Sequence, residues 1–254
     1  MNQERKTALV TGASRGIGRS IAKELLSAGY SVIGVSRNID QDDKVMNDLA
    51  RINDVSYSCL RADIGDQDDQ IKIRDFVDNE CDWLNVVIHN AGVAPKVRND
   101  VLEMTRESYT RVMNINLAGP VFLTQLLYPS MVKADTGSII FITSVSAITS
   151  SINRAEYCMS KAALSMFSQV MADRLADSSI RVFEVRPGVI ETDMTKPVME
   201  KYSKLISEGL IPQARIGQPE DIAGAVRSLL SGDFNYANGM VVEISGGMQI
   251  RSLK

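Results

Sequence analysis

One histidine, three cysteines and no long apolar run leave several classes of function without material. His89 alone cannot build an imidazole-rich zinc centre, and Cys59, Cys81 and Cys158 lack metal or redox spacing, so no metal site is expected. An odd cysteine count suits a reducing compartment, which predicts a cytoplasmic protein. No stretch approaches the roughly 20 apolar residues that span a bilayer. Met1 to Lys6 are polar and charged, so neither a signal peptide nor a membrane partner is expected. The formal charge is −3 and no basic run occurs, which argues against a nucleic-acid partner. Linkers, repeats and low-complexity segments are missing too.

What the chain does have is enough apolar material for a sizeable core: 44% of its 254 residues are hydrophobic and 23% charged. A length of this order is compatible with one large α/β domain, here taken as 1–254. Strands are expected over 7–11, 31–36, 55–61, 84–90, 137–143, 180–186 and 240–244. Helical patterns lie near 16–28, 41–52, 67–79, 104–132, 155–177 and 219–230. Strict alternation of the two implies an α/β fold, a doubly wound parallel sheet with helices on both faces. Its ligand would lie at the carboxyl ends of the strands. The segment 191–216, carrying Pro197 and Pro212, departs from the alternation; it is expected to form a helix pair that closes over substrate.

Two local patterns carry chemistry. Tyr157 and Lys161 stand four residues apart, on one face of a helix, with Ser144 thirteen residues upstream at the end of an apolar run. A free tyrosine titrates near ~10, and a neighbouring cation favours its phenolate, drawing the phenol toward neutral pH. With seven tyrosines, about 0.4 Tyr-x-x-x-Lys matches arise by chance, so the pair proves little alone. The second pattern is Thr7–Gly18, a β-branched and apolar run that breaks into Gly12, Gly16 and Gly18 before a helix. Strand, glycine turn and helix in that order bring backbone N–H groups against a phosphate.

Together these residues resemble the short-chain dehydrogenase/reductase family over nearly the whole chain. Thr11–Gly18 resembles its cofactor turn, Asn90-Ala91-Gly92 its Asn-Ala-Gly motif and Pro187-Gly188 its Pro-Gly motif. Asn116, Ser144, Tyr157 and Lys161 match its catalytic tetrad in order and spacing. Thr-Gly-Ala-Ser-Arg-Gly-Ile-Gly and Ile190-Glu191-Thr192-Asp193-Met194 are similar to the 3-oxoacyl-[acyl-carrier-protein] reductases within it. The resemblance implies a single-domain Rossmann-type sheet of about seven strands in the order 3-2-1-4-5-6-7, in a homotetramer. It also implies an oxidoreductase that interconverts a ketone and a secondary alcohol by hydride transfer. Tyr157 would donate the proton, Ser144 would hold the carbonyl oxygen, and Lys161 would lower the tyrosine pKa and bind the nicotinamide ribose. Asn116 would anchor a water that feeds protons to Lys161; Asn114 is the rival in that segment, and Ser146 stands in for Ser144 if the register slips.

The cofactor is expected to be NADP(H). Strand 31–36 ends in Ser36-Arg37-Asn38 with no acid at its tip to accept from a ribose 2′-hydroxyl. Arg37 is placed to pair with a 2′-phosphate, and Arg15 is expected to reach the same group. Asp40 lies beyond the strand and is read as starting the next helix. The remaining expected cofactor contacts are Gly12, Ser14, Gly16, Ile17, Gly18, Asp63, Ile64, Asn90, Ala91, Gly92, Tyr157, Lys161, Pro187, Gly188, Ile190 and Thr192. Substrate is expected against Ser144, Ser146, Arg154 and Tyr157, with Lys96 and Arg98 at the mouth as further partners for a carboxylate or phosphate.

Two departures bear on the substrate. His89 stands where the family often has asparagine and reads as a structural histidine. The acyl-carrier reductases carry basic docking residues where this chain has Asp135 and Ser178, and Asp177 adds an acid, although Lys133, Arg174 and Arg181 lie nearby. An acyl carrier protein is therefore a doubtful partner, and a small polar keto compound or sugar acid is the alternative. A non-catalytic nucleotide sensor on the same fold would be expected to lack the serine, tyrosine or lysine, and all three are present.

Overall fold

Among the described residues, short runs, most of them containing valine or isoleucine, form seven strands: β1 (Thr7–Thr11), β2 (Ser31–Ser36), β3 (Tyr57–Arg61), β4 (Val86–His89), β5 (Gly137–Ile142), β6 (Ile180–Pro187) and β7 (Val241–Ile244). The computed structural model describes residues 6–40 and 42–250. The reading of residues 1–5, the first residue of the helix expected from 41, and the end of the domain at 251–254 lie outside them. All strands pair in parallel in the order β3-β2-β1-β4-β5-β6-β7. The order reverses between β1 and β4, so the loops leaving their carboxyl ends part and open a crevice.

Alternate side chains of each central strand enter different cores, as a period of two requires. Ala8 and Val10 of β1, Val86 and Ile88 of β4, and Ile140 and Ile142 of β5 pack on one face. Leu9, Val87, Ile139 and Phe141 pack on the other. The first face is covered by α1 (Gly16–Ser27), α2 (Lys44–Ile52) and α8 (Pro219–Leu229). The second is covered by α3 (Gln67–Glu80), α5 (Gly119–Met131) and α6 (Ala155–Arg174). Burying a large apolar side chain contributes about 1.5–3 kcal/mol, and both layers are continuous, which makes the strand ends a rigid platform.

Three expectations need correction. The helix expected over 104–132 is α4 (Arg106–Met113), a π turn at Asn114–Ala118 and then α5. Thr105 caps α4 by accepting the Ser108 N–H at 3.1 Å. A π turn inserts a residue without breaking the helix, so the apolar pattern runs through it unmarked. The helix expected from 41 starts at Lys44, because Asp43 accepts the N–H groups of Val45 and Met46; Asp43, not Asp40, is its cap. The segment 191–216 holds a 3₁₀ turn at Lys196–Val198 and one helix, α7 (Met199–Ser207), in place of a helix pair. An Ile190–Gly217 bridge ties its base, and Ile206 and Ile211 pack with Val189, Tyr202 and Met248 into a small core of its own.

Candidate active site

The crevice begins where β1 ends. Gly12 and Gly16 take φ of +71° and +53°, a region glycine enters without strain. A Cβ on Gly18 would lie 2.3 Å from the Gly12 carbonyl oxygen and 2.4 Å from Asn90 Nδ2, so the turn closes only without a side chain there. α1 has neither a side-chain cap nor an acid in its first turn, which leaves its first N–H groups for an anion. Thr11 joins the two strand ends: its hydroxyl accepts the N–H groups of Asn90 and Ala91 at 3.0 and 3.1 Å and donates to the Ile88 carbonyl at 3.2 Å. Asn90 Nδ2 returns a bond to the Thr11 carbonyl at 2.9 Å.

The other expected cofactor contacts lie at or just beyond the carboxyl ends of β1, β2, β3 and β6. Ser14 and Ser36 share a hydrogen bond of 2.9 Å across the turn and the β2 tip. Arg37 Nη1 lies 3.6 Å from Asp63 Oδ2, and Asp63 Oδ1 accepts the Gly65 N–H at 2.9 Å. Ile64 is buried against Gly119, while Ile17 is half-buried in the first core. Gly188 follows Pro187 so close to Ser245 that a Cβ would meet its Cα at 2.8 Å. Ile190 is buried, and Thr192 Cγ2 lies 3.3 Å from where a Gly16 Cβ would be. Arg15 pairs with Asp193 at 3.0 Å, and Lys196 joins the same carboxylate at 2.8 Å. An acid 178 residues away competes for that guanidinium.

Tyr157 and Lys161 are both buried on α6, the lysine Nζ 5.8 Å from the phenol ring centre. Lys161 donates to the Ile142 carbonyl at 2.9 Å. Ser144 lies beyond β5, buried, its hydroxyl accepting the Ser146 N–H at 3.1 Å on the Tyr157 side of the site. Gly92 lets the chain pass close by: a Cβ there would meet Asn116 Oδ1 and Lys161 Nζ, each at 3.4 Å. Asn116, turned inward by the π turn, accepts the Val93 N–H at 2.8 Å. It donates to the Val93 carbonyl and to Ser160 Oγ, both at 3.0 Å. Asn114 is exposed.

The electrostatics differ from the sequence expectation. Burial raises the Tyr157 phenol above its ordinary 10, with the Ser144 hydrogen bond and the Arg154 charge pulling it back. Desolvation therefore outweighs the pull of the Arg154 charge. Burial also lowers Lys161 to about 8, against the opposing pull of Glu184. Glu184 was not singled out in the sequence. It is buried on β6 and accepts from Thr143 Oγ1 at 2.6 Å, Ser165 Oγ at 2.8 Å and Arg186 Nε at 2.6 Å. The legible signal was an acid between two arginines, Arg181, Glu184 and Arg186, inside a strand whose other residues are apolar.

His89 is buried, stacked on Phe141 at 5.0 Å, with Nε2 on the Thr124 hydroxyl at 2.8 Å and Nδ1 unpartnered. Arg154 lies 5.4 Å over the Tyr157 ring and reaches Ser146 Oγ at 3.4 Å; Arg98 is half-buried and Lys96 exposed. Asp135 and Asp177 are exposed, and the Ser178 hydroxyl donates to the Leu175 carbonyl at 2.7 Å. Arg181 is engaged by the carbonyls of Asn235, Ser178 and Ile180, leaving Lys133 and Arg174 as the exposed bases there. Among the described residues no cluster of His, Cys, Asp and Glu suits a metal ion, and no helix is long and apolar enough to cross a membrane.

Comparison with known proteins agrees with this geometry. Residues 6–203 match the family model for short chain dehydrogenase. The chain is 33% identical to a 3-oxoacyl-[acyl-carrier-protein] reductase of Aquifex aeolicus, over 96% of this chain and 97% of that one. It is similar in structure to a 3-oxoacyl-[acyl-carrier protein] reductase from Brucella melitensis in complex with NAD: TM-score 0.93, 36% identity, covering 99% and 100% of the two chains. It is also similar to L-sorbose reductase from Gluconobacter frateurii, complexed with NADPH and L-sorbose: TM-score 0.88, 25% identity, covering 98% of each. The chain belongs to the short-chain dehydrogenase/reductase family, oxidoreductases acting on alcohol and keto groups.

Proposed function

We propose that this protein interconverts a small ketone and its secondary alcohol with NADP(H), and that Ser144, Tyr157, Lys161 and Asn116 are its catalytic residues. The observation that carries the reading is the burial of Ser144, Tyr157 and Lys161 together at the carboxyl ends of the strands, with the lysine Nζ 5.8 Å from the phenol ring centre. The glycine cradle fits a dinucleotide: Gly12 and Gly18 leave room that any Cβ would fill, beside uncapped N–H groups of α1. Gly12, Ser14, Gly16, Ile17 and Gly18 would hold the pyrophosphate side, Asp63 and Ile64 the adenine side, and Asn90–Gly92, Pro187, Gly188, Ile190 and Thr192 the nicotinamide side. When bound, the dinucleotide supplies or accepts the hydride.

The chain's own residues manage the oxygen and its proton. Reduction leaves negative charge on the carbonyl oxygen, and that charge must be met as it forms. Ser144 hydrogen-bonds the oxygen and Tyr157 gives it a proton. Lys161, as a cation, stabilises the phenolate left behind. Asn116 fixes Val93 and Ser160 around the lysine and anchors the water through which the proton is replaced.

Ser36 and Arg37 at the tip of β2 support NADP(H) over NAD(H). Neither Ser36, Arg37 nor Asn38 offers a carboxylate to a ribose hydroxyl, and Arg37 is held only by a long, half-exposed contact to Asp63. Arg15, tied to Asp193, is a secondary partner at most. The segment 191–216 is the substrate lid of a single domain, which its tied base and own core support. Exposed Phe122, Val132, Met159, Met166 and Val170 on and beside α5 and α6 support a homotetramer. Exposed Asp135 and Asp177 and the engaged Arg181 support a small free ketone over a carrier-linked one. Three unpaired cysteines fit a reducing cytoplasm. The test is NADPH and NADH oxidation by purified protein against acyl-thioester, sugar-acid and small-ketone panels. Turnover of none of them, with cofactor bound, would contradict the reading.

A further inference from the structure

Arg154 and Arg98 are partly buried arginines that meet neither a carboxylate nor a backbone carbonyl among the described residues. Partly buried Arg19, Arg74 and Arg186 are paired with Asp43, Asp75 and Glu184, and Arg111 and Arg181 donate to backbone carbonyls. Arg154 has only two long contacts to neutral hydroxyls, Ser151 Oγ and Ser146 Oγ, both at 3.4 Å, and its Nη1 has no partner among the described residues. Arg98 makes no hydrogen bond or ion pair among them at all.

The two are neighbours. The 3₁₀ turn Val101–Glu103 that follows Arg98 packs on the turn Ile152–Arg154. Arg98 is half-buried among Arg154, Tyr157 and Tyr202, and burial together with the second cation holds its pKa down. Of the nearby acids, Asp100 caps the turn by accepting the Leu102 N–H at 3.0 Å, Glu156 accepts from Ser108 Oγ at 2.6 Å, and Glu103 is exposed with no ion pair to either arginine. Two partly desolvated guanidiniums without a counter-charge repel each other, and an anion placed against both removes that penalty. Their planar forks match the paired oxygens of a carboxylate or phosphate. Arg154 lies over the Tyr157 ring and Tyr202 comes from α7, so an anion held here sits between the proton donor and the segment 191–216.

We propose that Arg98 and Arg154 form an anion subsite beside Tyr157, and that the substrate is a short keto or hydroxy compound bearing a carboxylate or phosphate. This deepens the reading of Tyr157 as proton donor and rests on it. Lys96, exposed in the same loop, is left out of the subsite.

The test uses matched pairs: acetoacetate against methyl acetoacetate, and dihydroxyacetone phosphate against dihydroxyacetone. Wild-type kcat/KM should favour the charged member of at least one pair by about tenfold or more, the scale of charge-assisted hydrogen bonds. The favoured pair distinguishes carboxylate from phosphate. That ratio should collapse toward unity in Arg98→Gln and in Arg154→Gln, and Arg154→Lys should restore part of it. Calorimetry of the same compounds on NADPH-loaded protein reads the subsite without turnover, and NADPH binding by fluorescence shows that the variants are folded. Neutral compounds handled as well as charged ones in both pairs would overturn the proposal, as would a charged-to-neutral ratio left intact by both glutamine variants. Charged compounds that bind through the arginines but are never reduced would uphold the subsite and sink the catalytic reading instead.

Discussion

Replacing His89 by asparagine should flatten the dependence of stability on pH between 7 and 5. His89 is the only histidine in the chain, so no other imidazole contributes in that range. Its ring is buried against Phe141 and meets the Thr124 hydroxyl at 2.8 Å. That hydroxyl has one proton and gives it to the Pro120 carbonyl at 2.7 Å, so Nε2 carries the ring proton and Nδ1 presents an unpartnered lone pair. Burial pushes the imidazole down to about 3. In the unfolded chain it titrates near ~6.5. Between those values the unfolded state binds a proton that the native state refuses, so stability falls as pH drops from 6.5 toward 3. At pH 5 the unfolded state gains a factor of about 30, or about 2 kcal/mol. Urea unfolding followed through Trp83, the single tryptophan, reads this directly. Wild type should lose about 2 kcal/mol more than His89→Asn between pH 7 and 5, whatever the variant's absolute stability. Equal losses would refute the assignment of a buried, neutral imidazole.

Three further outcomes follow from the site. Arg37→Asp should weaken NADPH by repelling the 2′-phosphate and give NADH a ribose partner, moving the kcat/KM ratio toward NADH; a wild type that already prefers NADH contradicts the account of Ser36-Arg37-Asn38. Glu184→Gln should shift the Lys161 limb of the pH–rate profile downward from about 8, because the carboxylate that favours the ammonium is gone; an unmoved limb means Glu184 only packs. Light scattering at micromolar concentration should give four times the monomer mass, and a monomer would leave Phe122, Met166 and Val170 without a cover.

What was legible in the sequence was local. The glycine turn and the Tyr157–Lys161 pair each lie within one or two adjacent elements, so spacing alone fixes which groups meet. The alternation of strands and helices is likewise a local pattern, and it led to the layered sheet, while the strand order rested on family resemblance. Groups that meet across the fold stayed hidden. Glu184 binds Thr143 from the loop after β5 and Ser165 from α6, and nothing in the local pattern of β6 announces either partner. The pairing of Arg15 with Asp193 has the same cause. The π turn escaped because Asn114–Ala118 keeps an apolar rhythm while rotating Asn116 inward. The phenol's raised pKa escaped because spacing places a cation beside Tyr157 but says nothing of its desolvation.

The central claim is that Tyr157 delivers the proton to the carbonyl oxygen. Tyr157→Phe keeps the ring under Arg154 and removes only the hydroxyl. The direct measurement is steady-state turnover of this variant on the best ketone from the panels, alongside its NADPH affinity. The account predicts a fall of about a hundredfold or more in kcat with NADPH binding nearly unchanged. Retention of more than about a tenth of wild-type turnover would contradict it, since general acid catalysis of this kind contributes far more than that.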